Sequence, residues 1–334
     1  MKRLLIYSPN PLDGVSFYRQ WGPMSALRDK VTSVSFSNNT PEYSHWTWYL
    51  NYDCALMSRP HKYEDFFFAE QCKKFRLPLW VDYDDALLHI PADNPVADTF
   101  NSEKSRKWIV AILQMADVVT VSSQLQKRWF ESELKLKNVV FVPNGIDERM
   151  LSYAQPFKYN RRVFWRGSDS HLIDLLEYRE QIISVMDRFN DWEYLFFGVY
   201  PSFITNFTRA SNVSFHKSIN LIEFFREMCT YNPMITFVPL VDHFFNRVKS
   251  NLAWLDATCA GSVALVPKFE GYTEPELPGV RYYEPKYFAK EFETLLQLPE
   301  AQLAAMHQLS WEYLKDNLLL SKINEIRLGI LNNL

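Results

Sequence analysis

Short apolar runs alternate with amphipathic stretches along most of the 334-residue chain. This alternation is typical of a parallel sheet wrapped by helices, because each parallel connection needs a long crossover that is usually helical. In the first half, six runs have the composition of strands, at residues 3–8, 31–36, 54–59, 78–82, 118–122 and 139–143. Helical patterns lie between most of them, at 18–28, 63–75, 102–115 and 123–134. The first half therefore predicts a Rossmann-like domain.

The pattern is interrupted after Pro143-Asn144-Gly145, and the polar stretch up to residue 160 has no clear periodicity. Such a break indicates a linker, and the length of the chain also favours two domains. Beyond it, strand-like runs occur at 163–165, 193–197, 212–215 and 234–240, and helical patterns at 172–189 and 221–229. A second α/β domain is therefore predicted, followed by a segment from 301 to 334 that is almost entirely helical in pattern.

The composition excludes several classes of protein. No apolar run approaches the roughly 18 residues of a membrane helix, and Pro9 and Pro11 end the first run too early for a signal peptide. The four cysteines have no CxxC spacing, so neither a zinc site nor a disulfide framework is indicated. A formal net charge of −3 argues against a protein whose main task is to coat nucleic acid. We expect a cytoplasmic protein without a transmembrane segment.

Residues 239–267 are predicted to contain a strand end, a polar loop, a helix from Lys249-Ser250 to Gly261, and a further strand. A helix N-terminus offers free N–H groups and partial positive charge, which bind phosphates well. Asp256 would lie two turns along the same helix face, suited to a sugar hydroxyl. Four polar residues at the helix start suit an anionic ligand: Asp242, Asn246, Lys249 and Ser250. The alternative is an ordinary βαβ unit with a solvated lysine.

Three carboxylates stand at the end of the predicted strand at 78–82: Asp82, Asp84 and Asp85. Clustered carboxylates at the carboxyl end of a strand can hold a metal ion, orient hydroxyl groups or act as a base. The alternative is that Asp85 caps the next helix and the other two are solvated.

Further candidates follow the first strand and the carboxylates. Gly14 allows close approach of a ligand to the backbone, and Tyr18 and Arg19 come just after it. His89 lies beyond the carboxylates, where a histidine is more often structural than functional. The loop has a single glycine, so no dinucleotide fingerprint is present. The residue orders and motifs of hydrolases and kinases are also missing.

Two stretches resemble a known family. ADVVTVSSQLQKRWF at 116–130, followed by VVFVPNGID at 139–147, resembles the first-domain end and hinge of glycosyltransferase family 4, a GT-B fold family. The pattern PL-x-D-x-x-F-N-x-x-K-S-x-L-x-W-L-D at 239–256, with Gly261 after it, resembles the donor-site segment of short bacterial or phage-type members.

The resemblance implies two Rossmann-like domains that face a cleft. Residues 1–147 would form the acceptor domain, residues 148–305 the nucleotide-sugar donor domain, and residues 306–334 helices that pack back on the first domain. It also implies a nucleotide-diphosphate sugar as co-substrate, with no cofactor and no metal ion. Basic side chains and a helix N-terminus would neutralise the leaving diphosphate instead.

The positions that hold the diphosphate in the family are only partly kept. Arg166, followed by Gly167, supplies the family's arginine, but His171 stands where members have a lysine. We hypothesise that Lys249 replaces that lysine.

The acids of the family's Glu-x7-Glu motif are also only partly kept. Asp256 matches the second acid, which binds the ribose, whereas Val248 stands at the first, which lies near the transferred sugar. Gly198 matches a glycine near the nucleotide base, unless it merely forms a turn. A histidine in the region of His89 reaches the donor sugar in family members.

These roles predict transfer of a sugar from a nucleotide-diphosphate sugar to an acceptor hydroxyl, with retention or inversion left open. The catalytic candidates are Arg166, Lys249, Asp82, Asp84 and Asp85. The donor-binding candidates are Gly167, Gly198, Asp242, Asn246, Ser250 and Asp256. The acceptor-binding candidates are Gly14, Tyr18, Arg19 and His89.

Two alternatives stay open. The acceptor is a saccharide, a lipid-linked sugar or a hydroxymethylated base in DNA, where a flipped base would need a basic groove. Seven basic residues are available for such a groove, although solvated helix faces explain them more simply: Lys104, Arg106, Lys107, Lys127, Arg128, Arg161 and Arg162. The lost first acid also favours a non-catalytic nucleotide-sugar-binding protein.

Overall fold

The computed structural model of the protein describes residues 2–7, 13–36, 49–217 and 219–334. Within these ranges the chain forms two six-stranded parallel sheets. The strands of the first sheet are β1 (Lys2–Tyr7), β2 (Val31–Phe36), β3 (Cys54–Ser58), β4 (Leu79–Tyr83), β5 (Val118–Val121) and β6 (Val139–Phe141). Those of the second are β7 (Arg162–Gly167), β8 (Glu193–Gly198), β9 (Asn212–Lys217), β10 (Ile235–Phe237), β11 (Val263–Pro267) and β12 (Arg281–Tyr283).

The order of the strands gives each sheet a switch point. The first sheet runs β2-β1-β3-β4-β5-β6, and the second runs β12-β11-β10-β7-β8-β9, which is the Rossmann order. The direction of winding reverses between β1 and β3 in the first sheet and between β7 and β10 in the second. The crevice beyond the carboxyl ends of such strands is where open α/β sheets bind ligands. The predicted architecture of two Rossmann-like domains is confirmed.

Helices connect the strands. The first, α1, is continuous, with a π-helical middle: Gly14–Ser16, Phe17–Trp21 and Gly22–Ala26. The others are α2 (Tyr63–Lys74), α3 (Ala97–Phe100), α4 (Glu103–Met115), α5 (Gln124–Ser132), α6 (Leu172–Glu177), α7 (Arg179–Arg188), α8 (Ser202–Thr205), α9 (Leu221–Tyr231), α10 (Phe244–Arg247), α11 (Leu252–Cys259), α12 (Glu270–Thr273), α13 (Phe288–Leu296), α14 (Glu300–Asn317) and α15 (Leu320–Asn333). Short 3-10 turns occur at Leu87–His89, Glu148–Tyr153, Asp169–His171 and Pro285–Tyr287. None of the helices in the described ranges is long and apolar enough to cross a membrane.

Two elements differ from the sequence-based expectation. The helix predicted at 172–189 is broken at Tyr178, whose buried ring packs on Phe288 and whose hydroxyl donates to the Leu240 carbonyl oxygen at 3.0 Å. Strand β12 was not predicted, because three residues between polar loops show no periodicity. It pairs in parallel with β11 and completes the second sheet.

A short helix of the second domain is inserted into the apolar core of the first. Phe245 of α10 and Val248, which directly follows α10, belong to the buried cluster that includes residues of β3, β4 and α4. The Phe244 ring lies 4.6 Å from the His89 ring of the first domain. Burial of apolar surface therefore fixes the position of one sheet relative to the other.

The last helix returns to the first domain, as the resemblance implied. The Asn324 side-chain amide donates to the Pro23 carbonyl oxygen of α1 at 3.0 Å. Just before α15, Ile146 of the linker donates to the Leu318 carbonyl oxygen at 2.9 Å and accepts from the Leu320 amide at 2.8 Å. The chain thus crosses between the domains at two adjacent places.

The packing of α15 predicts an unequal response to two truncations. Leu331 is 1% exposed and Ile326 is 37% exposed on the same helix. Leu331→Ala should lower the free energy of unfolding by about 2–5 kcal/mol, because it opens a cavity in the core. Ile326→Ala should have a much smaller effect, and urea denaturation of both variants would measure the difference. Equal losses would contradict this account of the packing.

Candidate active site in the interdomain cleft

Two adjoining cavities of about 470 and 270 Å³ lie where the carboxyl ends of the two sheets face each other. Both switch points contribute, since residues after β1, β3, β7 and β10 line the walls. The polar and charged residues that border both cavities are Asp84, Arg166, Ser168, His171 and Ser250. Lys249 borders the smaller cavity. We call the two cavities together the cleft.

The larger cavity has an apolar end built on glycine. Phe197, Leu221 and Phe224 line its wall. Gly167 and Gly198, paired in register on β7 and β8, form its floor. Gly198 has a φ of +111°, and a Cβ there would stand 2.1 Å from the Gly167 carbonyl oxygen, so only glycine fits. A narrow apolar slot of this kind suits a planar ring.

The polar part of the larger cavity joins the two domains through one carboxylate. Asp256 of α11 accepts from Arg166 Nη2 at 2.7 Å and from the hydroxyl of Tyr18, in the first domain, at 3.0 Å. Burial raises the pKa of the Asp256 carboxyl, and the Arg166 charge offsets part of that effect. Burial also raises the pKa of Tyr18 well above its ordinary value. Tyr18 is therefore the hydrogen-bond donor in this contact.

The smaller cavity contains a cluster of opposite charges. Arg59 donates two hydrogen bonds to the Asp84 carboxylate, from Nε to Oδ1 and from Nη2 to Oδ2, the latter at 2.9 Å. Its Nη2 also donates to Asp85. Arg59 holds a left-handed backbone conformation, with a φ of 49°, which is uncommon for a residue other than glycine. Lys249 Nζ lies 3.9 Å from Asp85 and 4.5 Å from the centre of the Phe245 ring.

The two carboxylates of this cluster titrate differently. Burial raises the pKa of Asp84, although Arg59 opposes the effect. Burial alone would also raise the pKa of Asp85, but the charges of Lys249 and Arg59 outweigh it and lower the pKa. Neighbouring carboxylates with pKa values displaced in opposite directions are typical of acid–base sites.

A histidine stands between the two cavities. His171 borders both, and its Nδ1 lies 3.0 Å from Asp174 Oδ2. The other oxygen of Asp174 accepts from the Asn246 side chain at 2.7 Å and from the Val241 amide at 2.9 Å. Burial lowers the pKa of His171, and the charge of Lys249 acts in the same direction.

Most of the residues singled out in the sequence meet in the cleft. Those that line the larger cavity are Gly14, Tyr18, Arg19, Asp84, Arg166, Gly167, Gly198, Ser250 and Asp256. Asp85 and Lys249 line the smaller one. Four others do not line either cavity: Asp82, His89, Asp242 and Asn246.

Asp82 lies beneath the cleft rather than in it. It is 2% exposed and forms a paired contact with Arg19, with Nη2 to Oδ1 at 2.7 Å and Nε to Oδ2 at 3.0 Å. Thr120 also donates to it. Arg19 continues the network to the Val142 carbonyl oxygen at 2.7 Å and to Asn144 Oδ1 at 3.0 Å. Asp82 therefore holds Arg19 in place beneath the linker between the domains, and it does not contact the space where a ligand would bind in the cleft.

The other three residues have local partners. The His89 ring packs between Trp129 and Phe244, and its centre lies 4.6 Å from the ring centre of each. Asp242 pairs with Arg247 at 2.6 Å on the surface. Asn246 is 1% exposed and makes its contacts with Asp174 and the Val241 carbonyl oxygen.

The helix predicted to open at Lys249-Ser250 begins three residues later, at Leu252. Val248 is buried in the first domain, and residues 248–251 separate α10 from α11. Lys249 and Ser250 therefore lie in a loop, and Ser250 Oγ accepts from Asn144 Nδ2 at 2.9 Å. The N-terminus of α11 still faces the smaller cavity, through Leu252 and Ala253.

Several cleft residues were not predicted. Asn144 connects Arg19 to Ser250 across the hinge, and Arg59 organises Asp84 and Asp85. Arg59 directly follows β3, so the rule that ligands bind at the carboxyl ends of strands was a signal for it. Phe224, on the outer helix α9, left no such signal because its aromatic ring fits an ordinary apolar helix face.

Comparisons with known proteins agree with this architecture. No protein-family model matches the sequence, and no curated protein matches it. Among solved structures, sucrose-phosphate synthase from Thermosynechococcus elongatus matches with a TM-score of 0.73 at 13% identity, covering 100% of this chain and 98% of that one. Trehalose-6-phosphate synthase from E. coli, bound with UDP-2-fluoro glucose, matches with a TM-score of 0.67 at 13% identity, covering 99% of each chain. Anabaena HepE in complex with UDP matches with a TM-score of 0.63 at 14% identity, covering 100% of each.

Each match spans 99–100% of this chain, so it includes both sheets and the C-terminal helices. The chain therefore has the GT-B fold.

The buried pair under the cleft predicts a large cost when it is broken. Arg19→Met leaves the Asp82 carboxylate buried without its cation, and should lower the free energy of unfolding by about 3–5 kcal/mol. The exposed pair of Arg3 and Asp53 offers the matched control, because Arg3→Met removes an arginine from a solvated contact. Urea denaturation would measure both, and the double variant Arg19→Met/Asp82→Asn should recover part of the loss. A small effect of Arg19→Met would contradict the supporting role.

Proposed function

We propose that the protein transfers a sugar from a nucleoside-diphosphate sugar, with uridine as the first base to test, to an acceptor hydroxyl group. The observation that carries this proposal is the arrangement of the cleft. A glycine-floored apolar slot, two cations and a helix N-terminus follow one another along the facing edges of a GT-B fold. The resemblance to glycosyltransferase family 4 supports the same reaction, as do neighbours that bind UDP or a UDP sugar.

The nucleoside occupies the apolar end of the larger cavity in this proposal. The base lies against Phe197 and Phe224, over the floor of Gly167 and Gly198. The remaining lone pairs of Asp256 face the ribose hydroxyls. Asp256 is already oriented by Arg166 and Tyr18, so little ordering is needed when the nucleotide binds.

The diphosphate lies between Arg166, Lys249 and the N-terminus of α11. Charge grows on the departing diphosphate during transfer, and fixed cations that face it lower the barrier. Within the described ranges, no group of three or more His, Cys, Asp or Glu side chains is placed to hold a metal ion. In this proposal, Arg166 and Lys249 neutralise the charge of the diphosphate.

The transferred sugar occupies the smaller cavity, beside Asp84 and Asp85. Val248 stands where family members have an acid near the sugar, and it is fully buried in the apolar core of the first domain, where a carboxylate would lose its hydration. The two carboxylates of the first domain take over the recognition of sugar hydroxyls. If the reaction inverts configuration, Asp84 is the better base, because burial raises its pKa.

The acceptor is a saccharide or a lipid-linked sugar rather than DNA in this proposal. Of the seven basic residues considered for a DNA groove, four form ion pairs: Lys127 with Glu131, Arg128 with Glu274, Arg161 with Asp191 and Arg162 with Glu193. None of the seven borders the cleft. A DNA-binding groove needs lysine and arginine side chains that are available to contact the phosphates.

A panel of nucleoside diphosphates and their sugars, with and without magnesium, tests the proposal. Thermal shift and calorimetry should detect binding of one nucleotide family without added metal, and incubation with an acceptor library should release the diphosphate. Binding without any transfer would favour the non-catalytic alternative. No binding of any nucleotide would refute the proposal.

Removal of the Lys249 cation should weaken donor binding. We expect Lys249→Ala to raise the Kd for UDP about tenfold or more, since hydrogen bonds between charged groups contribute about 1.5–3 kcal/mol. Lys286→Ala is the matched control, because Lys286 is 68% exposed and lies far along the chain, beside Glu284. Calorimetry with UDP measures both variants, and unchanged affinity in Lys249→Ala would remove Lys249 from the diphosphate site.

A further inference from the structure

His171 stands at a point of the cleft where a diphosphate must pass between the two cavities. It ends the 3-10 turn Asp169–His171 that follows β7, and it borders both the larger and the smaller cavity. About a quarter of its side chain, 24%, is exposed to the cleft. The diphosphate site described above therefore has this imidazole in its wall.

The orientation of the ring is fixed from behind. Asp174 is 4% exposed, and His171 Nδ1 contacts its Oδ2 at 3.0 Å. The carboxylate is held in turn by the Asn246 side chain and by the Val241 amide. An ionised carboxylate only accepts hydrogen bonds, so Nδ1 carries a proton and Nε2 is the nitrogen left for a ligand.

This contact gives Asn246 an indirect role. Asn246 does not border the cleft, and it orients Asp174, which orients His171. The same nitrogen, Asn246 Nδ2, also lies 3.4 Å from His243 Nε2. The relay from Asn246 to Asp174 to His171 is the arrangement that stabilises a protonated imidazole in other proteins, where a buried carboxylate faces one ring nitrogen.

Charges of both signs surround the imidazole. Asp174 on α6 and Asp85 on the loop after β4 favour its protonated form, whereas Lys249 and Arg166 oppose it. Burial opposes protonation most strongly, and together these effects lower the pKa of His171 in the free protein. The ring is therefore neutral at neutral pH while the cleft is empty.

A bound diphosphate changes this balance. It brings negative charge between Lys249, Arg166 and His171, and so cancels the two cationic contributions that keep the ring neutral. We infer that His171 takes up one proton from solvent when the diphosphate binds, and that its Nε2–H then donates to a diphosphate oxygen. This inference rests on the proposed function. It adds to the cation of Lys249 a second positive charge, which lies at the position where family members have a lysine.

The inference fixes the direction of a pH dependence. A ligand that binds the protonated form more tightly raises the pKa of the group in the complex. Affinity is then greatest below the pKa of the free protein and declines as pH rises through the pKa of the complex. Each unit by which the pKa rises corresponds to a tenfold change in affinity.

Nuclear magnetic resonance of histidine-labelled protein measures the proton directly. The chain has seven histidines, and the signal of His171 is assigned by its loss in His171→Gln. We expect the His171 signal to titrate below the ordinary range in the free protein, and about one pKa unit or more higher with saturating UDP. Calorimetry on the same samples establishes that UDP is bound. An unchanged titration of His171 in the presence of bound UDP would overturn the inference while the proposed function stands.

Three variants separate charge from shape. His171→Lys should bind UDP at least as well as the native protein. The ratio of native to variant affinity should fall as pH rises from the His171 pKa of the free protein to that of the complex, tenfold for each unit between them. The ratio cancels the titration of UDP itself. His171→Gln should bind more weakly at pH 6 than at pH 8 relative to the native protein.

The third variant tests the relay. Asp174→Asn should lower the pKa of His171 in the UDP complex, which a merely structural role of Asp174 would not do. If no nucleoside diphosphate binds any of the proteins, the proposed function and this inference fall together. If UDP binds and the native to His171→Lys affinity ratio is flat with pH, only the inference falls.

Discussion

Burial of Phe245 and Val248 inside the first domain is the contact on which the geometry of the cleft depends. Each buried side chain of this size contributes about 1.5–3 kcal/mol. Val248 directly precedes Lys249 in the chain, and Phe245 lies three residues before Val248. The packing that joins the domains therefore also sets where the cation and the following helix N-terminus face the cleft. The same packing explains why a valine replaces an acid, since a carboxylate in this apolar core would cost several kcal/mol.

The cations that line the cleft within the described part of the chain all have acidic partners. Arg166 contacts Asp256, and Lys249 stands near Asp85. Such pairs hold the cations in position before a ligand arrives, which is the condition for electrostatic stabilisation without reorganisation. They also lower the apparent affinity for a diphosphate, because each bound phosphate competes with a carboxylate that is already there. In the proposed function, this arrangement favours charge that develops during the transfer over the tightest binding of a nucleotide.

The sequence allowed the two-domain architecture and most of the strands to be predicted, because parallel strands buried on both faces read as continuous apolar runs. The position of Asp256 near the cleft could be predicted from its place on a helix face, and Arg166 was identified through the resemblance to glycosyltransferase family 4. The structural roles of Asp82 and Asn246 could not be predicted from the sequence. Both depend on a partner distant in sequence, Arg19 and Asp174, that turns a polar side chain away from the cleft. The start of α11 was misplaced for the same reason, because no local pattern reveals that Val248 is buried by the other domain.

The two adjacent crossings between the domains have a mechanical consequence. Ile146 on the outgoing linker is hydrogen-bonded to Leu318 and Leu320 on the returning one, so the two connections act as a pair of pins along a single line. Two connections that lie side by side allow the domains to rotate about the line that joins them, and they restrain rotation about other axes. Any opening of the molecule would therefore turn about this line, and it would have to withdraw Phe245 and Val248 from the core of the first domain.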